Sequence, residues 1–330
     1  MGRVARLTVL LLAVGLVVAA GAVVWGLSRF ERPGPSVADT TLIVPRGAGV
    51  AAIAHQLGRA GVVEHPLIFA LGTRLFAGGR PLRAGEYLFP AGIGARAAMQ
   101  QMLDGRTVQR RLVVAEGLTA AQVLALVAAA EGLEGEAPPA AEGALLPETY
   151  FYSWGDERAA LVARMAAAMQ ETLAGLWAAR APGLPLDSAE AALTLASIVE
   201  KETALAAERP RVAAVFLNRL RRGMPLQSDP TVIYALAGEG GALDRPLLRA
   251  DLAVPSPYNT YLNAGLPPGP IANPGRAAIA AVLQPAATRE LYFVADGQGG
   301  HAFAETLDEH NRNVAEWRKL RAPDAAAPPP

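Results

Sequence analysis

The stretch Leu195–Leu220, LASIVEKETALAAERPRVAAVFLNRL, contains two apolar helical segments separated by a short charged turn. Its pattern predicts one helix that ends near Glu202 and a second that begins near Pro210, since proline suits a first helical turn. Charges normally mark the solvated end of a helix, yet Glu200 and Glu202 lie two positions apart at this junction. Because residues i and i+2 point in different directions on a helix, the two carboxylates cannot share a face.

Helical phase distinguishes the two glutamates. At about 100° per residue, the Glu202 side chain projects among bulky apolar groups, whereas Glu200 lies roughly opposite with small residues. The bulky groups are Leu195, Ile198, Val199 and Leu205. A carboxyl group in such surroundings loses hydration, so its pKa rises and it is suited to donate a proton near neutral pH. Glu202 is therefore the candidate acid, and Glu200 is expected to be a solvated charge at the helix end.

Phase alone leaves an alternative for Glu202. Charged side chains are almost never buried unless they are paired, so a buried ion pair is the simpler interpretation. Arg209 and Arg219 follow within a short distance along the chain and are its candidate partners. On this geometry alone, the ion pair is favoured over catalysis.

Composition excludes several classes of protein. The chain has 330 residues, of which 52% are hydrophobic and 18% charged, enough for two or three small domains with cores of their own. Its net charge of zero argues against nucleic-acid binding. The absence of cysteine excludes disulfides, cysteine-ligated metals and thiol catalysis. His301 and His310 lack a metal-binding spacing such as HExxH, so we expect neither a metal nor a cofactor.

The N-terminus carries an uncharged apolar run, Leu7–Leu27, of 21 residues. Since about 20 apolar residues span a bilayer, the run predicts a transmembrane anchor. A cleaved signal peptide is the alternative, because residues 20–22 (AGA) have the small-x-small form of a cleavage site. The apolar run continues past that site to Leu27, which favours an uncleaved anchor.

Strand and helix patterns fill the region between the anchor and the opening stretch. TLIVPRG (41–47) and AGEYLFPAG (84–92) predict strands on either side of two helices, which makes a β-α-α-β unit followed by a short helix. Residues 108–133 predict a strand, a turn and a helix. Asp187 and Ser188 are expected to cap the helix that carries the glutamates. The predicted fold class is α+β.

Two polar loops follow the opening stretch. MPLQSDPTVIYAL (224–236) places Asp229 at the start of a helix, where an N-cap is the simplest interpretation. SPYNTYLNAGLPPGPIANPG (256–275) has too many prolines and glycines for a helix, yet it is rich in tyrosine and asparagine. Sugar-binding clefts need aromatic faces for the rings and amides for the hydroxyl groups. This loop is therefore a candidate carbohydrate site, although an ordered structural loop would have the same composition.

Three motifs in this order resemble those of the endolytic murein (peptidoglycan) transglycosylase family, also called MltG or YceG-like. They are the glutamate stretch with its continuation to residue 236, YNTYLNAGLPPGPIANPG (258–275) and LYFVADGQGGHAF (291–303). The resemblance covers about residues 40–318. It implies a LysM-like module in place of the β-α-α-β unit, and a mixed α/β catalytic domain behind it.

The residue patterns and the resemblance together predict a division of the chain. Its parts are an N-terminal transmembrane anchor (1–28), a linker (29–39), a LysM-like module (40–106), a YceG-like catalytic domain (107–320) and a disordered tail (321–330).

The activity that the resemblance implies is cleavage of the β-1,4 bond between N-acetylmuramic acid and N-acetylglucosamine within glycan strands, with 1,6-anhydro-muramyl ends as products. It places the catalytic acid in EKET, where Glu202 is the first choice and Glu200 the second. Residues expected to position the sugars are Gln227, Asp229, Tyr258, Asn259, Thr260, Tyr261 and Asn273.

The implied setting is the bacterial inner membrane, with a single span and the catalytic domain on the extracytoplasmic side. The expected partners are nascent peptidoglycan strands, the cytoplasmic membrane and peptidoglycan synthases (penicillin-binding proteins), but no nucleic acid. Two alternatives remain. One is a muramidase that hydrolyses the same bond with Asp229 or Glu200 as second carboxylate, and the other is a non-catalytic wall-binding scaffold.

Overall fold

The structure is a computed structural model that describes residues 2–321, without the side chains of Arg3, Val4 and Arg321. Residues 322–330 of the predicted disordered tail lie outside the described residues. The described chain divides into two compact units. The first unit comprises residues 1–110, 131–134 and 151–156, and the second comprises the rest.

The first unit follows the predicted order of elements. Its helices and strands are α1 (Gly2–Glu31), β1 (Thr40–Val44), α2 (Val50–Arg59), α3 (Pro66–Phe76), β2 (Gly85–Phe89) and α4 (Ala95–Asp104). β1 and β2 pair antiparallel, with Thr40 opposite Phe89 and Val44 opposite Gly85. Fully buried side chains in the core formed by this two-stranded sheet and the helices include Leu57, Phe69 and Tyr87.

The N-terminal helix is longer than the sequence predicts. An anchor ending at residue 28 and a linker from 29 were expected, but α1 continues to Glu31. The reason is packing, because Phe30 is 1% exposed and belongs to the core of the first unit. From Ala5 to Glu31, α1 is long and apolar enough to cross a membrane, a property that a signal sequence shares.

The second unit is mostly helical. Its elements in chain order are β3 (Arg110–Val113), α5 (Ala120–Ala129), β4 (Thr149–Tyr152), α6 (Arg158–Ala178), α7 (Ala189–Glu202), α8 (Arg209–Arg221), α9 (Asp229–Ala237), α10 (Arg276–Leu283), β5 (Tyr292–Ala295), β6 (His301–Ala304) and α11 (Leu307–Arg321). β3 pairs with β4, and β5 pairs antiparallel with β6. The mixed α and β content and the apolar N-terminal helix are as predicted.

Helix α7, which carries both glutamates, lies at the centre of the second unit. Ser188 caps its N-terminus as predicted, since its hydroxyl accepts a hydrogen bond from the Ala191 amide at 3.1 Å. Helices α6, α8, α9 and α10 pack around α7, and every residue from 192 to 199 is buried. Between residues 192 and 199, α7 therefore has no solvated face.

Candidate active site

Glu200 is locked into an internal network. Its side chain is 4% exposed and accepts hydrogen bonds from the Arg209 guanidinium at 3.0 Å and the Gly275 amide at 2.9 Å. Arg209 also reaches Glu116 at 3.1 Å. Burial raises the pKa of Glu200, and the Gly275 hydrogen bond opposes that rise. The expectation of a solvated Glu200 is wrong, and the buried ion pair considered for Glu202 is formed by Glu200 instead.

Glu202 is the last residue of α7 and is half-buried. Its Oε1 accepts a hydrogen bond from the Ser228 hydroxyl at 2.5 Å. Burial raises the pKa of Glu202 to about 7, and the Ser228 hydrogen bond acts in the opposite direction. The charge of Asp229 raises the pKa further, whereas the charge of His301 lowers it. Near neutral pH, both the protonated and the ionised form of Glu202 are therefore populated.

The surroundings of Glu202 differ in one respect from those predicted. Leu195, Ile198 and Val199 are fully buried, as expected from helical phase. Leu205 is 42% exposed, because α7 ends at Glu202 and the chain no longer follows the helical phase there.

Arg219 influences Glu202 through its charge. Its guanidinium donates hydrogen bonds to the carbonyl oxygens of Leu291 at 2.7 Å and Leu226 at 2.8 Å. Burial lowers the pKa of Arg219, and its charge lowers the pKa of Glu202. Arg219 thus holds the backbone of two neighbouring segments and contributes positive potential to the site.

The turn before α9 brings three polar residues to the same place. Gln227 has a φ of 53°, a left-handed conformation that is uncommon for a residue with a side chain. Its backbone amide donates a hydrogen bond to the Thr260 carbonyl at 3.1 Å. This bond joins the turn to residues 256–275, called here the tyrosine loop. Ser228 is the buried residue that reaches Glu202, while Gln227 and Asp229 are exposed.

The tyrosine loop supplies two partly exposed aromatic rings. Tyr261 donates its hydroxyl to Asp229 at 2.6 Å. Burial and this hydrogen bond raise the pKa of Tyr261, so the phenol stays protonated. The Tyr258 ring lies 4.9 Å from the ring of Tyr234. Of these residues, Asp229 and Tyr261 lie near Glu202, since the charge of Asp229 raises the pKa of Glu202 and the charge of Glu202 raises that of Tyr261.

Three of the residues expected to contact sugars lie in the interior instead. Asn259 is 0% exposed and donates to the Leu252 and Val254 carbonyl oxygens at 3.0 and 2.9 Å. Asn273 is also 0% exposed, accepting from the Leu145 amide at 2.9 Å.

Thr260 is 1% exposed, and its hydroxyl accepts from the Ser228 amide at 3.0 Å. For Asn259, Asn273 and Thr260, this placement differs from the prediction of direct substrate contact. An amide in a turn-rich loop satisfies backbone groups as readily as it binds hydroxyl groups, and composition cannot distinguish the two.

Two residues near the site, Glu208 and His301, were not predicted to belong to it. Glu208 accepts hydrogen bonds from both the backbone amide of His301, at 3.0 Å, and its Nδ1, at 2.7 Å. The signal was present, since Glu208 belongs to the opening stretch and His301 to the third motif. Among residues 2–321, no three His, Asp or Glu side chains are grouped to hold a metal ion.

Known proteins resemble this chain over most of its length. Residues 42–316 match the YceG-like family. The chain is 32% identical to the endolytic murein transglycosylase of Bacillus subtilis (strain 168), over 88% of this chain and 89% of that protein. It is 31% identical to the protein of the same name from Streptococcus pneumoniae serotype 2 (strain D39 / NCTC 7466), over 84% of this chain but 58% of that longer protein.

A solved structure extends the similarity to the fold. The crystal structure of a YceG-like protein from Listeria monocytogenes aligns with a TM-score of 0.51 at 30% identity. The alignment covers 84% of this chain and 99% of the Listeria chain.

Proposed function

Because the chain belongs to the YceG-like family, we propose that it is an endolytic murein transglycosylase with Glu202 as its catalytic acid. The observation that carries the choice of residue is the contrast between the two glutamates. Glu202 is half-buried, with a pKa raised to about 7, and its carboxyl group is acted on by the Ser228 hydroxyl and by the charges of Asp229 and His301. Glu200 is 4% exposed and bound by Arg209 and Gly275.

A single carboxyl group suffices for the proposed reaction. Protonated Glu202 donates its proton to the O4 of N-acetylglucosamine as the bond from that oxygen to C1 of N-acetylmuramic acid breaks. The resulting carboxylate then takes the proton from the muramyl 6-hydroxyl, whose oxygen bonds to C1. The product is a 1,6-anhydro ring, and no water is consumed. Attack within one sugar benefits from the high effective concentration of an oriented nucleophile.

The neighbouring residues are assigned to two roles. Gln227, Asp229, Tyr258 and Tyr261 are exposed or half-buried, and we propose that they contact the sugars. The buried Asn259, Thr260 and Asn273 would hold the loops that carry these side chains.

Ser228 orients the Glu202 carboxyl group through its hydrogen bond. The charge of His301, whose ring is bound by Glu208, acts on the same group. We therefore assign His301 as a positioning residue, with Glu208 holding its ring.

The rest of the proposal concerns the setting. Helix α1 would be a single-pass anchor in the inner membrane, with the catalytic domain (107–320) on the extracytoplasmic side. Residues 40–106 would form the LysM-like module, since their β-α-α-β order with a following helix matches that expectation. Nascent glycan strands would be the substrate, and glycan-polymerising synthases the partners whose products it shortens.

A second candidate activity, hydrolysis by a muramidase, rests on Asp229. Inverting and retaining hydrolases use a second carboxylate in addition to the acid. Glu200 is engaged by Arg209, whereas Asp229 is exposed and close enough for its charge to raise the pKa of Glu202. Asp229 is therefore the residue that would activate water in a hydrolase.

Product analysis distinguishes these activities. The full-length protein in detergent micelles is incubated with purified glycan strands, and the products are weighed by mass spectrometry. Anhydro ends that disappear with Glu202→Gln but persist with Glu200→Gln support the proposal. Reducing ends that have gained water identify a muramidase. If the unmodified protein cleaves nothing, the scaffold alternative replaces both enzymes.

A further inference from the structure

Helix α3 of the first unit exposes an apolar stripe. Leu67, Leu71 and Leu75 follow one another at four-residue intervals and are 70%, 48% and 73% exposed. Phe76, at the end of the helix, is 41% exposed. The opposite side of α3 is buried in the core through Phe69 and Thr73. A helix that is apolar on nearly every side belongs in a core or in lipid, yet this one has an open face.

The stripe adjoins the candidate membrane span. Phe30 of α1 packs against Gly72 of α3, where a Cβ atom would come within 2.4 Å of the phenylalanine ring. Next to this contact, a groove of about 260 Å³ runs between the two helices. One wall consists of α1 residues 22–30, and Leu71 and Leu75 belong to the other. The apolar surface of the span thus continues onto α3.

Aromatic and basic groups mark the level at which α3 begins. The Trp25 ring lies 5.5 Å from the ring of His65, the residue that precedes α3. Arg29 stands 5.7 Å from the Trp25 ring and pairs with Glu64 at 3.1 Å. Tryptophan and arginine are typical of the boundary between the acyl region and the headgroups. At the other end of α3, the exposed Arg74 suits an anionic headgroup.

The dimensions of α3 favour lipid over a protein partner. Its 11 residues span about 16 Å, too short to cross a bilayer of about 30 Å. Its exposed face, roughly 16 Å by 10 Å, is on the order of 160 Å², whereas a specific protein interface buries about 800 Å² per partner. A short apolar stripe flanked by basic residues is typical of a helix that lies in the membrane interface.

We propose that α3 docks on the phospholipid bilayer beside α1, with its three leucines in the acyl region and a lipid chain in the groove. This inference rests on the proposed anchoring by α1. The first unit would then be bound to the outer surface of the membrane through both α1 and α3, and not through α1 alone.

The test uses the absence of cysteine from the chain. Single cysteines replace Leu67, Leu71 or Leu75 in the full-length protein and are labelled with an environment-sensitive fluorophore. The protein is reconstituted at one chain per nanodisc of phosphatidylethanolamine and phosphatidylglycerol. Leu88→Cys on β2, 45% exposed, is the matched control, and Val17→Cys reports on the span itself. Quenching by nitroxide lipids is compared with quenching by iodide in solution.

We expect nitroxide lipids to quench the three α3 labels at least twofold more than the Leu88 label, and iodide to show the reverse order. Leu75→Glu in the Leu71→Cys protein should bring its lipid quenching down towards the Leu88 value. Equal quenching of the α3 and Leu88 labels, with Val17 quenched by lipid, overturns the docking but leaves the anchor intact. If the α3 labels are shielded from iodide but are not quenched by nitroxide lipids, protein covers the stripe, and the proposed docking on lipid is overturned. An unquenched Val17 label refutes the anchor itself and the docking with it.

Discussion

The carboxyl group of Glu202 accepts a hydrogen bond from the Ser228 hydroxyl, with 2.5 Å between Oε1 and Oγ. Ser228 is 1% exposed, and its own amide is held by Thr260 at 3.0 Å. Burial favours the protonated acid, whereas this hydrogen bond favours the carboxylate. Their balance leaves the pKa at about 7, where one group serves as acid and then as base.

Removal of that hydrogen bond should move the alkaline limb of the pH–rate profile. In Ser228→Ala, the pKa of Glu202 rises because the carboxylate loses its donor. The limb of kcat/KM that reports loss of the acid should shift upward by on the order of 1 pH unit. Ser188→Ala, at the far end of the same helix, is the control and should leave the limb in place. If the limb does not move in Ser228→Ala, the group that titrates in the alkaline limb is not Glu202.

The charge of Asp229 should act in the opposite direction. Asp229→Asn keeps an oxygen that accepts from Tyr261 but removes a negative charge that raises the pKa of Glu202. The alkaline limb should therefore move to lower pH, and anhydro products should persist. Tyr261→Phe, which removes this contact but keeps the charge of Asp229, is the control and should not move the limb to lower pH. Complete loss of cleavage in Asp229→Asn with normal sugar binding would favour the hydrolase mechanism.

Glu202 should make the folded state less stable as the pH rises. Its pKa is raised from 4.5 to about 7 in the folded state, so the native protein holds the proton more tightly than the unfolded chain. The stabilisation is complete below pH 4.5 and is lost as the pH rises through 7, by up to about 3 kcal/mol.

Urea unfolding of the protein and its Glu202→Gln variant at pH 5 and pH 8 measures this effect, since other groups titrate equally in both. The variant should be the more stable protein at pH 8, and the difference should largely vanish at pH 5. The same difference in stability at both pH values would contradict the raised pKa.

Glu200 should be a structural residue. Glu200→Gln leaves Arg209, 11% exposed, with only part of its compensating charge from Glu116. We expect a loss of about 1–3 kcal/mol in the free energy of unfolding. Activity measured well below the melting temperature should fall far less than in Glu202→Gln. The reverse ranking of the two variants would make Glu200 the acid.

His301 should affect the titration of Glu202 without being required for binding. His301→Gln removes a charge that lowers the pKa of Glu202, so the alkaline limb should move upward and kcat should fall at unchanged KM. Glu208→Gln should have a smaller effect of the same sign, because it loosens the ring. His310→Gln, at the other histidine of this region, is the matched control. If His301→Gln raises KM alone, its role is in substrate binding.

The sequence alone determined most of the elements before residue 237, but not α10, β6 or α11. Helices with caps such as Ser188 follow from contacts between residues no more than a few positions apart, and the strands on either side of α2 and α3 follow from a local alternation of side chains. The resemblance of three motifs was sufficient to identify the family. Local periodicity also predicted a bulky apolar face of α7 made of Leu195, Ile198 and Val199, and all three are buried.

The tertiary structure alone decided what each glutamate contacts. Phase assigned Glu200 to solvent, but α7 is enclosed by four helices, and Gly275, 75 positions away, supplies its hydrogen bond. Ser228 reaches Glu202 from 26 positions away, and Asn273 turns inward to satisfy a distant backbone amide. Burial and hydrogen bonding depend on segments that meet only after folding. The pattern of one helix therefore shows which way a side chain points, but not which groups from other segments surround it.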